Sequence, residues 1–215
     1  MVGCNGVRGY CWADKLVGMN EKNFYTSIRG NLFKGKIKSS QFEGIDAILG
    51  EWNRRGLTDV RWLAYILATV FHETAGTMQP IEEYGKGKSR TYGYKVKYSG
   101  KPYNDTPHIY YGRGLTQNTW YENYEMLTKQ AKEAGYNWDF LNHPELLLKM
   151  EPSVWATFNC MLKGKYTGKK LSDYFNDQKN DPIGARKIIN GKDRAELIAG
   201  YYHKFLSSLS DFHTE

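Results

Sequence analysis

The chain has 215 residues, of which 40% are hydrophobic and 25% are charged, and its formal net charge at pH 7 is +7. This composition is ordinary for a soluble globular protein, and the length predicts one domain with a substantial core. It excludes a protein built around a membrane-spanning helix, because no stretch reaches the roughly 20 apolar residues that such a helix needs.

The excess of positive charge, with an isoelectric point near 9.1, favours an anionic partner. Nucleic acid, a membrane surface and a bacterial wall polymer all fit that description. The chain contains no recognisable nucleic-acid-binding motif, so nucleic acid is not expected as a partner. The densest basic stretch, residues 86–90 with lysines up to residue 101, is interpreted as a solvated loop.

The chain contains three cysteines, Cys4, Cys11 and Cys160. An odd number implies no complete disulfide framework, although a Cys4–Cys11 bridge stays open. The N-terminal segment lacks the basic-then-apolar order of a signal peptide. We therefore expect synthesis in the cytoplasm without a visible export signal.

Residues 1–37 are glycine-rich, with a short apolar pattern around Phe24 and Ile28. They are interpreted as an N-terminal extension that packs on a single domain of residues 38–215. The first clear helix is predicted to begin at Ser40. Ser40 and Glu43 form a Ser-x-x-Glu capping box, and apolar residues follow at helical spacing.

The next helix is the centre of the predicted domain. Thr58 or Asp59 is expected to cap it, and residues 62–71 contain no charge, which indicates a buried segment. Glu73 follows at the last turn, where desolvation and the negative end of the helix dipole favour a protonated carboxyl group. A carboxylic acid that stays neutral near pH 7 is suited to general acid catalysis.

A second carboxylate is expected near the first. Gly76 ends the helix and Pro80 prevents its early resumption, so the chain is able to return Glu82 toward Glu73. Two glutamates in settings of different polarity are typical of a glycosidase acid/base pair. Residues 84–111 then contain seven tyrosines among glycines, lysines and turn residues. Alternation over residues 92–96 predicts a small hairpin or long loop that lines a cleft.

The rest of the chain predicts short helices over residues 120–134, 138–148, 152–162, 171–175, 182–189 and 194–209. Thr119 and Glu122 form a second capping box before the first of these, which gives Thr119 a structural role. The fold class expected from the whole pattern is a mainly α-helical single domain with one irregular, tyrosine-rich insertion.

Three other kinds of site have weaker support in the sequence. His72-Glu73 suggests a zinc site, but the second histidine of that motif is replaced by Gly76, so no metal is expected. Residues 87–89 resemble the end of a phosphate-binding loop, but Glu82 occupies the position that must be glycine. A nucleophilic pair of Cys160 and His203 is compatible with the spacing, and nothing local supports it.

Several blocks of sequence together resemble the family 19 glycoside hydrolases, the chitinase and phage-endolysin group with a lysozyme-like fold. The similarity spans about residues 40–206 and follows the order of that family. It is carried by Phe71-His72-Glu73-Thr74-Ala75-Gly76, Met78-Gln79-Pro80, Tyr110-Tyr111-Gly112-Arg113-Gly114, Gln117, Thr119, Asn123-Tyr124 and Ile189-Asn190-Gly191. The resemblance implies a lysozyme-like α+β fold, mainly α, with a small irregular or β-hairpin insertion lining a cleft.

The resemblance also implies an inverting hydrolase without metal or other cofactor. Glu73 would be the acid, Glu82 the base, and Thr119 would help to place the attacking water; Glu83 is an alternative base. The substrate-binding residues implied are His72, Tyr111, Arg113, Gln117, Asn123 and Asn190. The chain departs from the family in having Asn118 where leucine is usual and Lys192 where a second glycine follows Asn-Gly.

The expected function is hydrolysis of β-1,4 bonds in bacterial peptidoglycan, as in a phage endolysin. Such a protein waits as a monomer in the host cytoplasm until a holin releases it to the cell wall. Plant chitinases of the family are secreted and rich in paired cysteines, and chitin offers no charge to basic residues. A family 19 chitinase acting on N-acetylglucosamine polymers and a non-catalytic wall-binding protein are the alternatives.

Overall fold

The computed structural model describes residues 21–87, 97–98, 101–102 and 109–210, with the backbone alone for the two short segments. Six α-helices dominate this part of the chain: α1 Glu21–Asn31, α2 Ser39–Arg54, α3 Val60–Glu73, α4 Tyr121–Glu133, α5 Met150–Lys163 and α6 Ala195–Ser210. Three 3-10 helices cover Pro144–Leu148, Leu171–Asp173 and Gly184–Ile188. The expected mainly helical architecture is confirmed. None of the helices described is long and apolar enough to cross a bilayer.

Helix α3 lies at the centre of the main core, as its uncharged sequence predicts. Every residue from Leu63 to Val70 is buried, and α6 packs along the helix. Asp59 caps the helix as expected, because its Oδ1 accepts a hydrogen bond from the backbone N–H of Arg61 at 3.0 Å. A buried helix with a fixed first turn gives Glu73, at its other end, a defined position.

Helix α1 belongs to the same core. Phe24 and Ile28 have no exposed surface, and Ser27 forms a hydrogen bond of 2.7 Å with Ser208 of α6. Burying two large apolar side chains stabilises the fold by roughly 1.5–3 kcal/mol for each side chain. The expected boundary after residue 37 stays a prediction, and the Cys4–Cys11 pair lies outside the described residues.

The predicted start of α2 is wrong in one detail. The helix begins at Ser39 with Lys38 as N-cap, and the Lys38 backbone N–H donates to Oε1 of Gln41 at 2.8 Å. Gln41, three residues after the cap, therefore reaches back to it, and the expected box of Ser40 and Glu43 is not the one that forms.

Helix α5 joins two parts of the core. Its residues 152–161 are all buried, with Val154 and Phe158 in the main cluster and Trp155 and Cys160 in a second cluster beside α4. A helix that buries ten consecutive residues has its place inside the protein, which agrees with this central position. Gly164 ends α5 in the left-handed conformation.

The strands form three two-stranded sheets: β1 Ile81–Glu82 with β4 Arg113–Gly114, β2 Lys97–Tyr98 with β3 Lys101–Pro102, and β5 Phe175–Asn176 with β6 Lys179–Asn180. The β2–β3 pair confirms a hairpin in the tyrosine-rich insertion, whereas the alternating residues 92–96 lie outside the described part. The β5–β6 hairpin was not predicted. The Asn176 side chain accepts from the Gln178 backbone N–H and closes that turn locally.

Candidate active site

Glu73 is the last residue of α3, and the backbone after it explains why the helix stops there. Ala75 and Gly76 both have positive φ angles, 50° and 78°, and the Gly76 N–H donates to the Phe71 carbonyl at 2.7 Å. This local reversal satisfies a carbonyl of the last turn and directs the chain away from the helix. The Glu73 carboxyl group is thereby placed at the end of a buried helix, as the sequence predicted.

Arg186 is the main partner of Glu73, and sequence reasoning missed it. Its Nη1 donates to Glu73 Oε1 at 2.6 Å, with the two side chains only 4% and 16% exposed. The guanidinium gives the Glu73 carboxyl group a charged partner, which the sequence-based interpretation of Glu73 did not include. A signal was present in the sequence, because a lone arginine in the stretch 182–189 needs a carboxylate partner when it is buried.

Arg186 also fixes the segment that follows it. Its Nε donates to the carbonyl of Asp193 at 3.0 Å, and its own carbonyl accepts from the Asn190 N–H at 3.0 Å. One guanidinium therefore holds Glu73 and the turn of residues 190–194 together. Oε2 of Glu73 has no hydrogen bond to any residue of the described part.

Removing Arg186 is expected to destabilise the protein strongly. Arg186→Ala leaves a largely buried carboxylate without its partner, which costs on the order of 3 kcal/mol of unfolding free energy. Arg54→Ala is the matched control, because Arg54 is 52% exposed in its pair with Glu51 and should lose no more than about 1 kcal/mol. Urea denaturation of both variants measures the difference. Equal losses would show that the Arg186–Glu73 pair contributes no more than a surface pair.

Glu73 opens into a cavity of about 300 Å³, called here the Glu73 cavity. It brings together five of the nine predicted site residues and adds four that were not predicted. The lining consists of Glu73, Gln117, Thr119, Asn123 and Asn190 with Thr116, Trp120, Tyr166 and Ile189. The other four predicted residues, His72, Glu82, Tyr111 and Arg113, are not part of this lining. The cavity wall is rich in amide and hydroxyl groups, which suits a polar, uncharged ligand such as a sugar.

The wall formed by residues 113–119 is held to β1 by Gln117. Its backbone has a φ of 51°, and its Nε2 donates to the carbonyls of Ile81 at 3.1 Å and Gly114 at 3.3 Å. Gly112 lies against this side chain, and a Cβ there would stand 2.7 Å from Gln117 Oε1. A side chain at Gly112 would therefore displace the Gln117 amide, which both lines the cavity and braces its wall.

The capping role expected for Thr119 is wrong. Helix α4 begins at Tyr121, and its N-cap is Trp120, which has a φ of 73° and makes no side-chain cap. The turn at Trp120 leaves Thr119 one position outside the cap. Its carbonyl accepts from Asn123 Nδ2 at 2.8 Å, while its hydroxyl has no hydrogen bond within the described residues. That hydroxyl is therefore available to a molecule in the cavity.

Glu82 lies on β1 opposite Arg113 of β4, and its carboxylate is held on two sides. The Tyr111 hydroxyl donates to Oε2 at 2.9 Å, and Lys86 Nζ lies 3.2 Å from Oε1. The Tyr111 hydrogen bond, followed by Lys86 and Arg113, lowers the pKa of Glu82. An ionised carboxylate at neutral pH has the form that a general base requires.

Glu83 differs from Glu82 in its partners. Its Oε2 accepts from the Gly112 backbone N–H at 3.1 Å, and its own N–H donates to the Gly112 carbonyl at 2.7 Å. Glu83 is the first residue after β1, and its partners show that the two neighbouring glutamates have different surroundings. The choice of Glu82 over Glu83 as base stays a prediction.

Arg113 turns its charge into the protein. It is 6% exposed, its guanidinium carbon lies 3.7 Å from the centre of the Tyr111 ring, and its Nη1 donates to the Ile109 carbonyl at 2.6 Å and to the Tyr124 hydroxyl at 3.1 Å. Tyr124 in turn donates to the Tyr111 carbonyl at 2.8 Å. The Arg113 guanidinium therefore packs on the face of the Tyr111 ring, and the Tyr111 hydroxyl donates a hydrogen bond to Glu82.

The remaining candidate groups are placed as follows. Burial lowers the pKa of His72, and the neighbouring Glu73 opposes that shift. Burial raises the pKa of Cys160 to about 12, so its thiol stays protonated and gives no support to a nucleophilic pair with His203. Within the described ranges, His, Cys, Asp and Glu form no group of three or more that fits a metal ion.

The fold matches solved structures of family 19 chitinases. A bacterial family 19 chitinase has 21% sequence identity and a TM-score of 0.53, with 89% of this chain and 94% of that chain covered. Chitinase C from Streptomyces griseus has 20% identity and a TM-score of 0.58, with 95% of each chain covered. No protein-family profile and no curated protein sequence matches the chain. The likeness shows the fold, and the expected chitinase-like, lysozyme-like fold class is confirmed.

Proposed function

We propose that the protein is a glycoside hydrolase that cleaves β-1,4 bonds of bacterial peptidoglycan by an inverting acid/base mechanism. The observation that carries the proposal is the Glu73 cavity. It joins a carboxyl group at the end of a buried helix to the polar side chains of Gln117, Thr119, Asn123 and Asn190. The likeness to family 19 chitinases supports a reaction at a glycosidic bond.

Glu73 acts as the general acid in this mechanism. Its Oε1 is engaged by Arg186, so Oε2 is the oxygen that protonates the leaving glycosidic oxygen. As the proton leaves, negative charge develops on Glu73, and the fixed guanidinium of Arg186 stabilises it.

Glu82 acts as the general base and removes a proton from the attacking water. Inversion needs space for this water, so the two carboxyl groups are expected to stand roughly 6.5–9.5 Å apart when substrate is bound. The Thr119 hydroxyl accepts a hydrogen bond from the water and orients it toward the anomeric carbon. The amides of Gln117, Asn123 and Asn190 bind hydroxyl and N-acetyl groups of the sugars, and Trp120, 39% exposed, offers a face for stacking.

Peptidoglycan is preferred over chitin as the substrate because of charge. The chain carries a net charge of +7, and peptidoglycan carries carboxylates on its peptide stems, whereas chitin is uncharged. An endolysin that is released from a host cytoplasm to the wall, as a monomer, is the biological setting that we propose. A chitinase is the second candidate, because the solved structures that share the fold are chitinases.

The proposal is tested with purified protein on three substrates: bacterial sacculi, colloidal chitin and soluble chitin oligosaccharides. We expect soluble sugar fragments from sacculi, with the α-anomer as first product because inversion at a β-linkage produces it. Activity on chitin alone would make the protein a chitinase. Activity on none of the substrates, combined with sedimentation of the protein together with sacculi, would identify a non-catalytic wall-binding protein.

Thr119 is tested by two substitutions. Thr119→Ser keeps the hydroxyl and should keep most of the activity, whereas Thr119→Val should lower kcat on the order of 10- to 100-fold because the water is no longer oriented. Its unfolding free energy should change by less than about 0.5 kcal/mol, since the folded protein has no cap bond to lose.

Thr157→Val is the control for Thr119→Val, because the Thr157 hydroxyl is buried and donates to the Ser153 carbonyl at 2.9 Å. That control should lose about 1 kcal/mol of unfolding free energy and little activity. Normal wall hydrolysis by Thr119→Val would remove Thr119 from the mechanism.

A further inference from the structure

A second depression begins where the Glu73 cavity ends along the chain. Asn190 lines the cavity, and the next residue, Gly191, lines a groove of about 570 Å³, called here the basic groove. The basic groove is formed by residues between 181 and 197, from the segment before the Gly184–Ile188 helix to the first turn of α6. Its place next to Asn190 puts it beside the proposed site of hydrolysis.

Three cationic side chains line the basic groove: Lys187, Lys192 and Arg194. All three residues are exposed, and none forms an ion pair with a residue in the described part of the chain. The lining also contains two acids. Asp181 accepts a hydrogen bond from the Gly184 N–H at 2.7 Å and lies 3.5 Å from Lys179 Nζ, so its charge is already paired. The second acid, Glu196, forms no ion pair within the described residues. The groove therefore has cations in excess.

The groove is held in a fixed position relative to Glu73. Arg186 donates to Glu73 Oε1 at 2.6 Å and to the Asp193 carbonyl at 3.0 Å, so the turn that carries Lys192 and Arg194 is joined to the proposed acid. A rigid link of this kind lets binding in one depression align a ligand in the other.

Other features of the groove favour a ligand with both carboxylates and small apolar groups. Helix α6 begins at Ala195, and the N-terminus of a helix of 16 residues attracts negative charge. Ile183 and Leu197 line the same groove with 53% and 43% of their surface exposed. Exposed aliphatic side chains next to unpaired cations fit an acidic peptide better than a chitin chain, which presents hydroxyl and amide groups only.

We infer that the basic groove binds the peptide stem of the peptidoglycan strand whose sugars occupy the Glu73 cavity. The stem carboxylates pair with Lys187, Lys192 and Arg194, and the alanine methyl groups of the stem pack on Ile183 and Leu197. This inference rests on the proposed function and deepens it. It names the part of the substrate that distinguishes peptidoglycan from chitin, and the residues that recognise it.

The test compares two triple variants on three substrates. The groove variant combines Lys187→Ala, Lys192→Ala and Arg194→Ala. The matched control combines Lys22→Ala, Arg29→Ala and Lys36→Ala, which removes the same charges from exposed positions that line neither depression. The substrates are peptidoglycan with intact stems, the same glycan after an amidase has removed the stems, and chitin oligosaccharides. Thermal unfolding verifies that both variants are folded.

We expect the groove variant to lose about tenfold or more in kcat/KM on stem-bearing peptidoglycan, chiefly through a higher KM, and its dependence on salt to weaken. On stripped glycan it should equal wild type, and the control should resemble wild type on every substrate. Equal loss on all three substrates, or no loss on any, would overturn the inference. Hydrolysis of stripped and intact glycan at the same rate by wild type would also overturn it while leaving the proposed function intact. A wild-type protein that cleaves neither glycan would refute the proposed function itself.

Discussion

Glu73→Gln is expected to lower kcat on sacculi by on the order of 10²–10⁴-fold while the protein stays folded. The amide of glutamine has no acidic proton to give to the leaving oxygen, so the general acid is lost. Its carbonyl oxygen still accepts from Arg186, whose Nη1 lies 2.6 Å from Glu73 Oε1, so the link to the 190–194 turn is kept. Initial rates and thermal unfolding of the purified variant measure both parts of this expectation.

The control for Glu73→Gln is Glu125→Gln, which changes the same chemistry at an exposed position of α4. It should retain wild-type activity and unfolding free energy within error. If Glu73→Gln works within about threefold of wild type, Glu73 is not the general acid. If it is inactive because it unfolds, its circular dichroism spectrum differs from that of wild type, and the loss of activity is then structural.

Glu82→Gln is expected to reduce kcat by a similar factor, on the order of 10²–10⁴-fold, because the attacking water loses its base. Glu83→Gln is the matched comparison, since it removes a neighbouring carboxylate whose partner is the Gly112 N–H at 3.1 Å. Glu83→Gln should keep most of the activity. The reverse order of effects would transfer the role of base to Glu83.

The pH dependence gives a second measure of the same assignment. The Tyr111 hydroxyl is the largest cause of the lowered pKa of Glu82. Tyr111→Phe removes that hydrogen bond, so the pKa of Glu82 rises and the carboxylate becomes protonated at a higher pH. The acidic limb of the kcat/KM profile should therefore move to higher pH in Tyr111→Phe. An unchanged acidic limb would show that the essential base is a group other than Glu82.

The elements that the sequence determined by itself are those with local causes. Asp59 caps α3 because its side chain reaches an amide two residues away, and the uncharged run after it has to be buried. Gly76 follows the end of α3 with a positive φ angle, a conformation that glycine adopts without steric strain. These short-range signals put Glu73 at the end of a buried helix before any long-range contact was known. They also indicated a mainly helical domain and a hairpin in the tyrosine-rich insertion.

Local signals failed where several residues competed for one position. A Ser-x-x-Glu box at Ser40 and a Thr-x-x-Glu box at Thr119 both match the capping pattern. In the folded chain, Gln41 reaches back to Lys38, and the turn at Trp120 places Thr119 outside the cap of α4. Packing of the surrounding chain selects among such alternatives, because each is worth only about 1 kcal/mol.

The tertiary structure alone decided which groups meet at the site. Arg186 is 113 residues away from Glu73 in the chain, and Tyr111 is 29 residues away from Glu82. Pairing at such separations follows from the packing of whole helices and strands, which no local pattern encodes. The same packing places the Arg113 guanidinium against the Tyr111 ring and brings Asn190 to the wall of the Glu73 cavity. The sequence predicted which side chains belong to the candidate site. Only the folded core supplied their geometry, because a buried charge finds its partner through the packing of distant parts of the chain.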